Sequence, residues 1–154
     1  MNDQSLVTPA IRAALGIESK PYVFEVEKGD IVRYAAAIGE TNPRYADEAA
    51  ARKGRLGGIV APPTYLIVMR ILEVAAFRDI RPDVQLTRSL DGGSEWRYFE
   101  PIRPGDRITA TKKLVDAYER AGSLGRMLFL VSEITYLNQF DEVVVVQRDT
   151  AIYY

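Results

Sequence analysis

Between Tyr65 and Phe77 every residue except Arg70 and Glu73 is apolar. Pro63 suits the first turn of a helix, so this stretch predicts a helix that is apolar on almost all sides. Such a helix has no solvent face to present, and the rest of the chain must wrap it. From Pro62 to Phe77 it would reach roughly 24 Å at about 1.5 Å per residue, short for a bilayer span and interrupted by two charges. The C-terminal part of the chain can do the wrapping. Ser94 to Phe99, Arg107 to Tyr118, Arg126 to Leu137 and Glu142 to Tyr153 are rich in strand formers. They are separated by Pro101 to Asp106, Arg120 to Ser123 and Asn138 to Asp141. Turns this short suit antiparallel neighbours. With 154 residues, one ordinary domain is expected. Its class is α+β: a curved antiparallel sheet around one long central helix.

The first third of the chain is helical and polar by contrast. Pro9 to Leu15 predicts a short helix closed by Gly16, and Tyr22 to Glu27 a strand stopped at Lys28-Gly29. Asp30 is placed to cap a helix with Ile31, Tyr34, Ala35 and Ile38 on one face, ended by Gly39. After the polar passage Glu40 to Tyr45, Asp47 to Lys53 reads as an Ala-rich helix stopping at Gly54. No repeat or low-complexity tract divides the chain. Residues 1–20 are read as an N-terminal extension and 21–154 as the domain.

Composition removes whole classes of chemistry. The chain has no His and no Cys, and zinc sites built on those ligands, Ser-His-Asp triads and cysteine nucleophiles need one of them. Twenty basic against twenty-one acidic side chains give a net charge of −1, so no field favours nucleic acid or an anionic membrane. No metal, nucleic acid or membrane partner is expected. The start, Met1 to Leu6, is acidic where a secretory leader would be basic, and cysteine is absent; both fit a cytoplasmic protein.

Three segments together carry a resemblance. They are Ile38-Gly39-Glu40-Thr41-Asn42-Pro43-Arg44-Tyr45, Gly57-Gly58-Ile59-Val60-Ala61-Pro62-Pro63-Thr64-Tyr65, and Trp96-Arg97-Tyr98-Phe99-Glu100-Pro101-Ile102-Arg103-Pro104-Gly105-Asp106. In order and spacing, over roughly residues 22 to 153, they resemble the MaoC-like hydratase/dehydratases of the hot-dog fold, in particular the FAS1-like (MaoC N-terminal) dehydratase domain. The resemblance implies reversible addition of water across a trans-2-enoyl thioester, giving a (3R)-3-hydroxyacyl product. The acyl group would be carried by CoA or an acyl carrier protein, with no cofactor. It also implies a second hot-dog subunit, identical or different, alongside the first.

The first segment resembles the family's Gly-Asp-x-Asn-Pro-aliphatic-His motif. Glu40 stands at the Asp position, Tyr45 at the His position and Arg44 at the aliphatic one. The resemblance therefore assigns Glu40 and Tyr45 the acid/base positions, while their identities weaken that chemistry. Glu carries its carboxylate one methylene further out, and displacements of about 1 Å can cost on the order of 100-fold. Tyr, with an ordinary pKa near about 10, is a poor proton acceptor at neutral pH. For substrate binding the resemblance points to Asn42, Gly57, Gly58, Ala61, Pro62 and Thr64, where backbone amides at a helix start would face the thioester oxygen.

Each feature also has a structural reading. Glu40 can be a solvated loop acid, Tyr45 a packed aromatic, Asn42-Pro43 a turn former, and Gly57-Gly58 and Pro62-Pro63-Thr64 a close-packed helix start. Arg52-Lys53-Gly54-Arg55 either meets CoA phosphates or complements a helix end. Glu73 is either a thioesterase-like helix carboxylate, one half of an ion pair with Arg70 or an interface polar group. The reading favoured is an acyl-binding dehydratase subunit whose partner supplies the intact dyad. A self-sufficient hydratase using Glu40, a non-enzymatic acyl-thioester binder and a hot-dog thioesterase stay open beside it.

Overall fold

A computed structural model describes residues 5–68, 84, 86–123 and 125–154. The chain runs α1 (Pro9–Ala14), β1 (Tyr22–Glu25), α2 (Lys28–Ala37), a 3-10 turn (Pro43–Tyr45), α3 (Glu48–Lys53), β2 (Ser89–Tyr98), β3 (Arg107–Gly122), β4 (Gly125–Leu137) and β5 (Val143–Tyr153). All strand pairs are antiparallel, and the five strands form one curved sheet in the order β1-β3-β4-β5-β2. This is the α+β architecture expected. Ile67 and Val68 are helical where the long apolar helix should begin. Its remainder, with Arg70 and Glu73, lies outside the described residues.

Alternation along the strands sets which face is buried. Tyr136 pairs with Val145 and Ala110, Ile134 with Gln147, and Phe24 with Ile108, so these side chains share one face of the sheet. All of them are buried. Val26, Ile31, Ile59, Tyr65, Leu66 and Ile102 pack into the same core. Each fully buried aliphatic or aromatic side chain contributes about 1.5–3 kcal/mol.

That face also holds a polar string. The Tyr136 hydroxyl donates to Gln147 Oε1 at 2.7 Å, Gln147 Nε2 donates to both Asp149 oxygens at 2.8 Å, and Ser94 Oγ donates to Asp149 Oδ1 at 2.6 Å. Buried polar groups are tolerable when partnered in this way.

Residues 5–20 lie against the domain. Val7 and Ile11 pack with Leu114, Leu128 and Leu130. Glu119 accepts from Ser5 Oγ at 2.6 Å and from the Leu6 amide at 2.7 Å. Gly16 and Ser19 donate to the carbonyls of Leu114 and Lys112, each at 2.8 Å. Beyond β1, this segment covers the edge of β3.

Five local expectations change. α2 begins at Lys28 with Glu27 before it, so Asp30 sits inside the first turn and pairs with Arg33 instead of capping. An acid there still complements the helix dipole. Ile38 is 48% exposed, because as the C-cap residue it has left the helical path that buries Ile31 and Ala35. β3 continues through Arg120-Ala121-Gly122, and the Arg120 guanidinium lies 5.1 Å from the Tyr118 ring and 5.7 Å from the Phe129 ring. β2 pairs with β5 and not with β3. Both flanks of β3 are already taken by β1 and β4, so β2 can join only at the far edge. β2 also starts earlier than expected, at Ser89, with an irregularity between Asp91 and Ser94.

Candidate functional site

The end of α2 and the turn after it are held by four separate local devices. Gly39 takes a left-handed φ of 69°, which lets the Gly39 amide donate to Ala36 O at 3.1 Å and the Glu40 amide to Ala35 O at 2.9 Å. A glycine closing a helix in this way satisfies carbonyls that would otherwise be orphaned. The Glu40 carboxylate accepts from the Asn42 amide at 2.9 Å. Asn42 Oδ1 accepts from the Arg44 amide and from Arg44 Nε, each at 3.2 Å. Pro43 opens the 3-10 turn, with Asn42 as its cap. Asp47 then caps α3 through the Ala50 amide at 3.0 Å.

Tyr45 faces inward. It is 9% exposed and packs with Ala35, Val60 and Leu56, and the Arg44 guanidinium carbon lies 5.8 Å from its ring centre. Glu40 is exposed. The acid and the aromatic at the motif's two chemical positions thus end in different surroundings.

Two clefts flank this turn and share Arg44 and Leu56. One, of about 430 Å³, is lined also by Asn42, Gly54, Arg55 and Gly58. The other, of about 260 Å³, is walled by Tyr45, Val60, Pro62, Tyr98, Phe99 and Ile102, with Ala61 beside them. Of the residues singled out in the sequence, Asn42 and Gly58 line the first cleft, and Tyr45, Ala61 and Pro62 the second. Glu40, Gly57 and Thr64 line neither.

Gly57 has a left-handed φ of 71°, whereas Gly58 does not, and a Cβ built on Gly58 meets no atom within 4 Å. Thr64 is tied to α2: the Tyr34 hydroxyl meets Thr64 O at 2.9 Å and Thr64 Oγ1 at 2.8 Å. The Tyr98 hydroxyl donates to Pro63 O, and Ala61 N donates to Ile102 O at 2.8 Å. The helix start is therefore clamped between α2 and the end of β2.

Burial, with a smaller effect from Tyr34, raises the Tyr98 hydroxyl above its usual pKa. Burial also pushes Tyr65 to about 12, aided by the charges of Asp30 and Glu27. Among the described residues no group of three His, Cys, Asp or Glu is placed to hold a metal ion. None of their helices is long and apolar enough to cross a membrane.

Sequence reasoning passed over Tyr98 and Phe99 as walls of the second cleft, although their segment was one of the three that carried the resemblance. It also placed Arg44 only at the motif's aliphatic position. The signal available was its position one residue before Tyr45, on a turn that must project neighbouring side chains to different sides.

A family model described as the FAS1-like, dehydratase domain region matches residues 13–147. A UPF0336 protein of Thermobifida fusca is 34% identical over 116 residues, 74% of this chain and 74% of its own length. A probable enoyl-CoA hydratase alpha subunit of Thermomonospora curvata is 31% identical over 132 residues, 77% of this chain and 41% of its own length. Among solved structures, the C-terminally truncated HadBC complex of Mycobacterium tuberculosis, a (3R)-hydroxyacyl-ACP dehydratase, superposes with a TM-score of 0.75 at 22% identity. The match covers 90% of this chain and 96% of that one. The superposition shows a shared fold, the hot-dog fold of the MaoC-like dehydratases.

Proposed function

Because the chain belongs to the FAS1-like dehydratase domain family, we propose that it is the acyl-binding subunit of an (R)-specific enoyl-thioester hydratase or 3-hydroxyacyl-thioester dehydratase. A second hot-dog chain supplies the proton-transferring pair. The observation that carries this reading is the state of the motif turn. Its scaffold, Gly39, Asn42 and Pro43, is intact, while Glu40 points its carboxylate at the Asn42 amide and Tyr45 is packed against Val60 and Leu56. No His exists anywhere in the chain to complete a dyad.

Hydration needs a base to take a proton from water as its oxygen adds to C3, and an acid to deliver a proton to the α-carbon. It also needs a donor to hold the thioester oxygen while enolate charge develops. This chain's share is binding and that last task. The 260 Å³ cleft offers apolar walls to the acyl or pantetheine chain. Of the stretch from Gly58 to Thr64, Pro62 and Pro63 carry no N–H and the Ala61 amide is spent on Ile102 O, so the amides of Gly58 and Val60, residues that line the clefts, are the ones that suit a developing oxyanion. A two-chain arrangement accords with the relatives: one is named an alpha subunit, and the HadBC structure is a complex. β2, exposed along nearly its whole length at the sheet's edge, is the strand a second sheet would pair with.

The test is turnover of a short enoyl-CoA by the purified chain, alone and with a candidate partner, alongside sedimentation of both samples. The expected result is an oligomer with negligible activity alone and restored activity with the partner. Robust activity of the single chain that is lost in Glu40→Gln would replace this reading with a self-sufficient hydratase. A monomer under both conditions would remove the paired-sheet model.

A further inference from the structure

The 430 Å³ cleft differs in charge from its apolar neighbour. Two guanidinium groups, Arg44 and Arg55, line it, and no carboxylate does. The surrounding charges do not neutralise them. Glu48 is engaged by Lys28 and by Arg52, the latter at 3.0 Å. Glu40 and Asp47 are spent on the amides of Asn42 and Ala50. Glu100 is the one acid that lines the neighbouring cleft. Among the described residues neither Arg44 nor Arg55 has a carboxylate within ion-pair distance.

Arg44 is also held in place. Its Nε donates to Asn42 Oδ1 at 3.2 Å and its guanidinium lies over Tyr45, so its outer nitrogens are aimed with little rotamer freedom left to lose. Leu56, which lines the cleft next to Arg55 in the chain, is fixed by Arg103, whose Nη1 donates to Leu56 O at 2.9 Å. Gly58 lines the cleft with open space where a side chain would stand, so a ligand can reach the backbone there.

We propose that this cleft is the phosphate subsite of the thioester carrier, with Arg44 and Arg55 gripping its phosphate oxygens while the acyl-bearing arm enters the adjoining 260 Å³ cleft. Planar guanidinium forks match phosphate oxygens in pairs. Because the clefts share Arg44 and Leu56, one ligand can occupy both. On this view Arg44, foreign to an acyl tunnel, belongs to the carrier end of the site. The proposal rests on the thioester-binding reading above and names the part of the site that recognises the carrier.

Calorimetric titration of the full chain, or of its complex where a partner is in hand, tests it with hexanoyl-CoA, hexanoyl-phosphopantetheine and hexanoyl-pantetheine. The variants are Arg44→Gln and Arg55→Gln, both at exposed positions, with Arg12→Gln, exposed on α1, as the control outside the clefts. Hexanoyl-CoA should bind at least tenfold more tightly than hexanoyl-pantetheine. Each cleft variant should lose about tenfold toward hexanoyl-CoA and little toward hexanoyl-pantetheine, while the control keeps wild-type affinity. A grip that matches on hexanoyl-phosphopantetheine assigns the cleft to the phosphate shared by CoA and carrier proteins. A grip confined to hexanoyl-CoA assigns it to the nucleotide end. Hexanoyl-CoA binding indifferent to both substitutions overturns the subsite and leaves the thioester reading standing. Failure of every thioester to bind removes both.

Discussion

Gly57 and Gly58 are adjacent and chemically identical, yet the fold gives opposite forecasts for replacing them. Gly57 has a φ of 71°, and an L-residue in that region costs about 1–2 kcal/mol. Near 150 residues each kcal/mol moves the melting point by about 2–4 °C, so Gly57→Ala should lower it by roughly 2–8 °C. Gly58 lies outside the left-handed region and its Cβ would meet nothing within 4 Å. Gly58→Val should therefore stay within about 0.5 kcal/mol, as surface changes usually do. Its branched side chain would nonetheless stand in the 430 Å³ cleft that Gly58 lines. Affinity for hexanoyl-CoA should fall at least tenfold, or about 1.4 kcal/mol. Differential scanning calorimetry and titration calorimetry on both variants separate the effects. A Gly58→Val protein that melts several degrees low while binding normally would make this end of the helix architecture alone, and the site would have to be sought elsewhere.

Groups away from the clefts give three more expected outcomes. The Glu119 carboxyl is held down to about 2, chiefly by Ser5 and Arg126, with the Val7 and Leu6 amides adding to it. A depressed carboxylate stabilises above its ordinary pKa and ceases to as pH falls. Between about pH 4.5 and 2 the segment from Ser5 to Thr8 should detach, and Glu119→Gln should detach it at neutral pH, read by amide exchange or proteolysis. Tyr136→Phe would strand Gln147 Oε1 in the core, costing about 1–3 kcal/mol in denaturant melts; no loss would mean that the amide finds another donor. Tyr65 is 1% exposed and its hydroxyl has no hydrogen-bond partner among the described residues. Tyr65→Phe should therefore stabilise by about 1 kcal/mol. With Tyr65 raised to about 12 against an ordinary 10, its proton favours the native state, so that stability is present below pH 10 and lost toward 12. The Phe variant should lack this alkaline decline.

What could be read from the sequence divides along physical lines. Periodicity and punctuation located β1, the α2 end at Gly39, α3 with its stop at Gly54, and the meander β3-β4-β5, because each is decided by neighbours within a few residues. The place of β2 was not legible. A short loop after it suggests a hairpin with β3, but strand order is settled by which flanks of β3 are already occupied, a competition between distant segments. The site divides in the same way. Tyr45, Ala61 and Pro62 do come to one cleft, while the walls from Tyr98 and Phe99 arrive only because β2 crosses to β5 and brings its end back over Pro63.

The motif turn shows why matching residues and matching chemistry must be weighed separately. Gly39 is required by a left-handed helix end, Asn42 by two hydrogen bonds to Arg44, and Pro43 by the start of a 3-10 turn. Each of these would be needed whether or not the turn ever moved a proton. Positions 40 and 45 are the ones that report on catalysis, since the proton chemistry would need an acid and an imidazole there, whereas the turn asks of position 40 only an oxygen to accept from the Asn42 amide. In this chain those are the positions that differ from the motif it resembles, and Arg44 between them changes from an aliphatic residue to a cation. A turn kept for its geometry, with its reactive pair altered and a positive charge added beside a cleft, is what a subunit that holds a thioester for another chain's acid and base would need. The same logic ranks the substitutions. Changes at Gly39 or Asn42 should act through stability and changes at Arg44 through ligand affinity, while Glu40→Gln should leave the activity of the assembled pair nearly untouched.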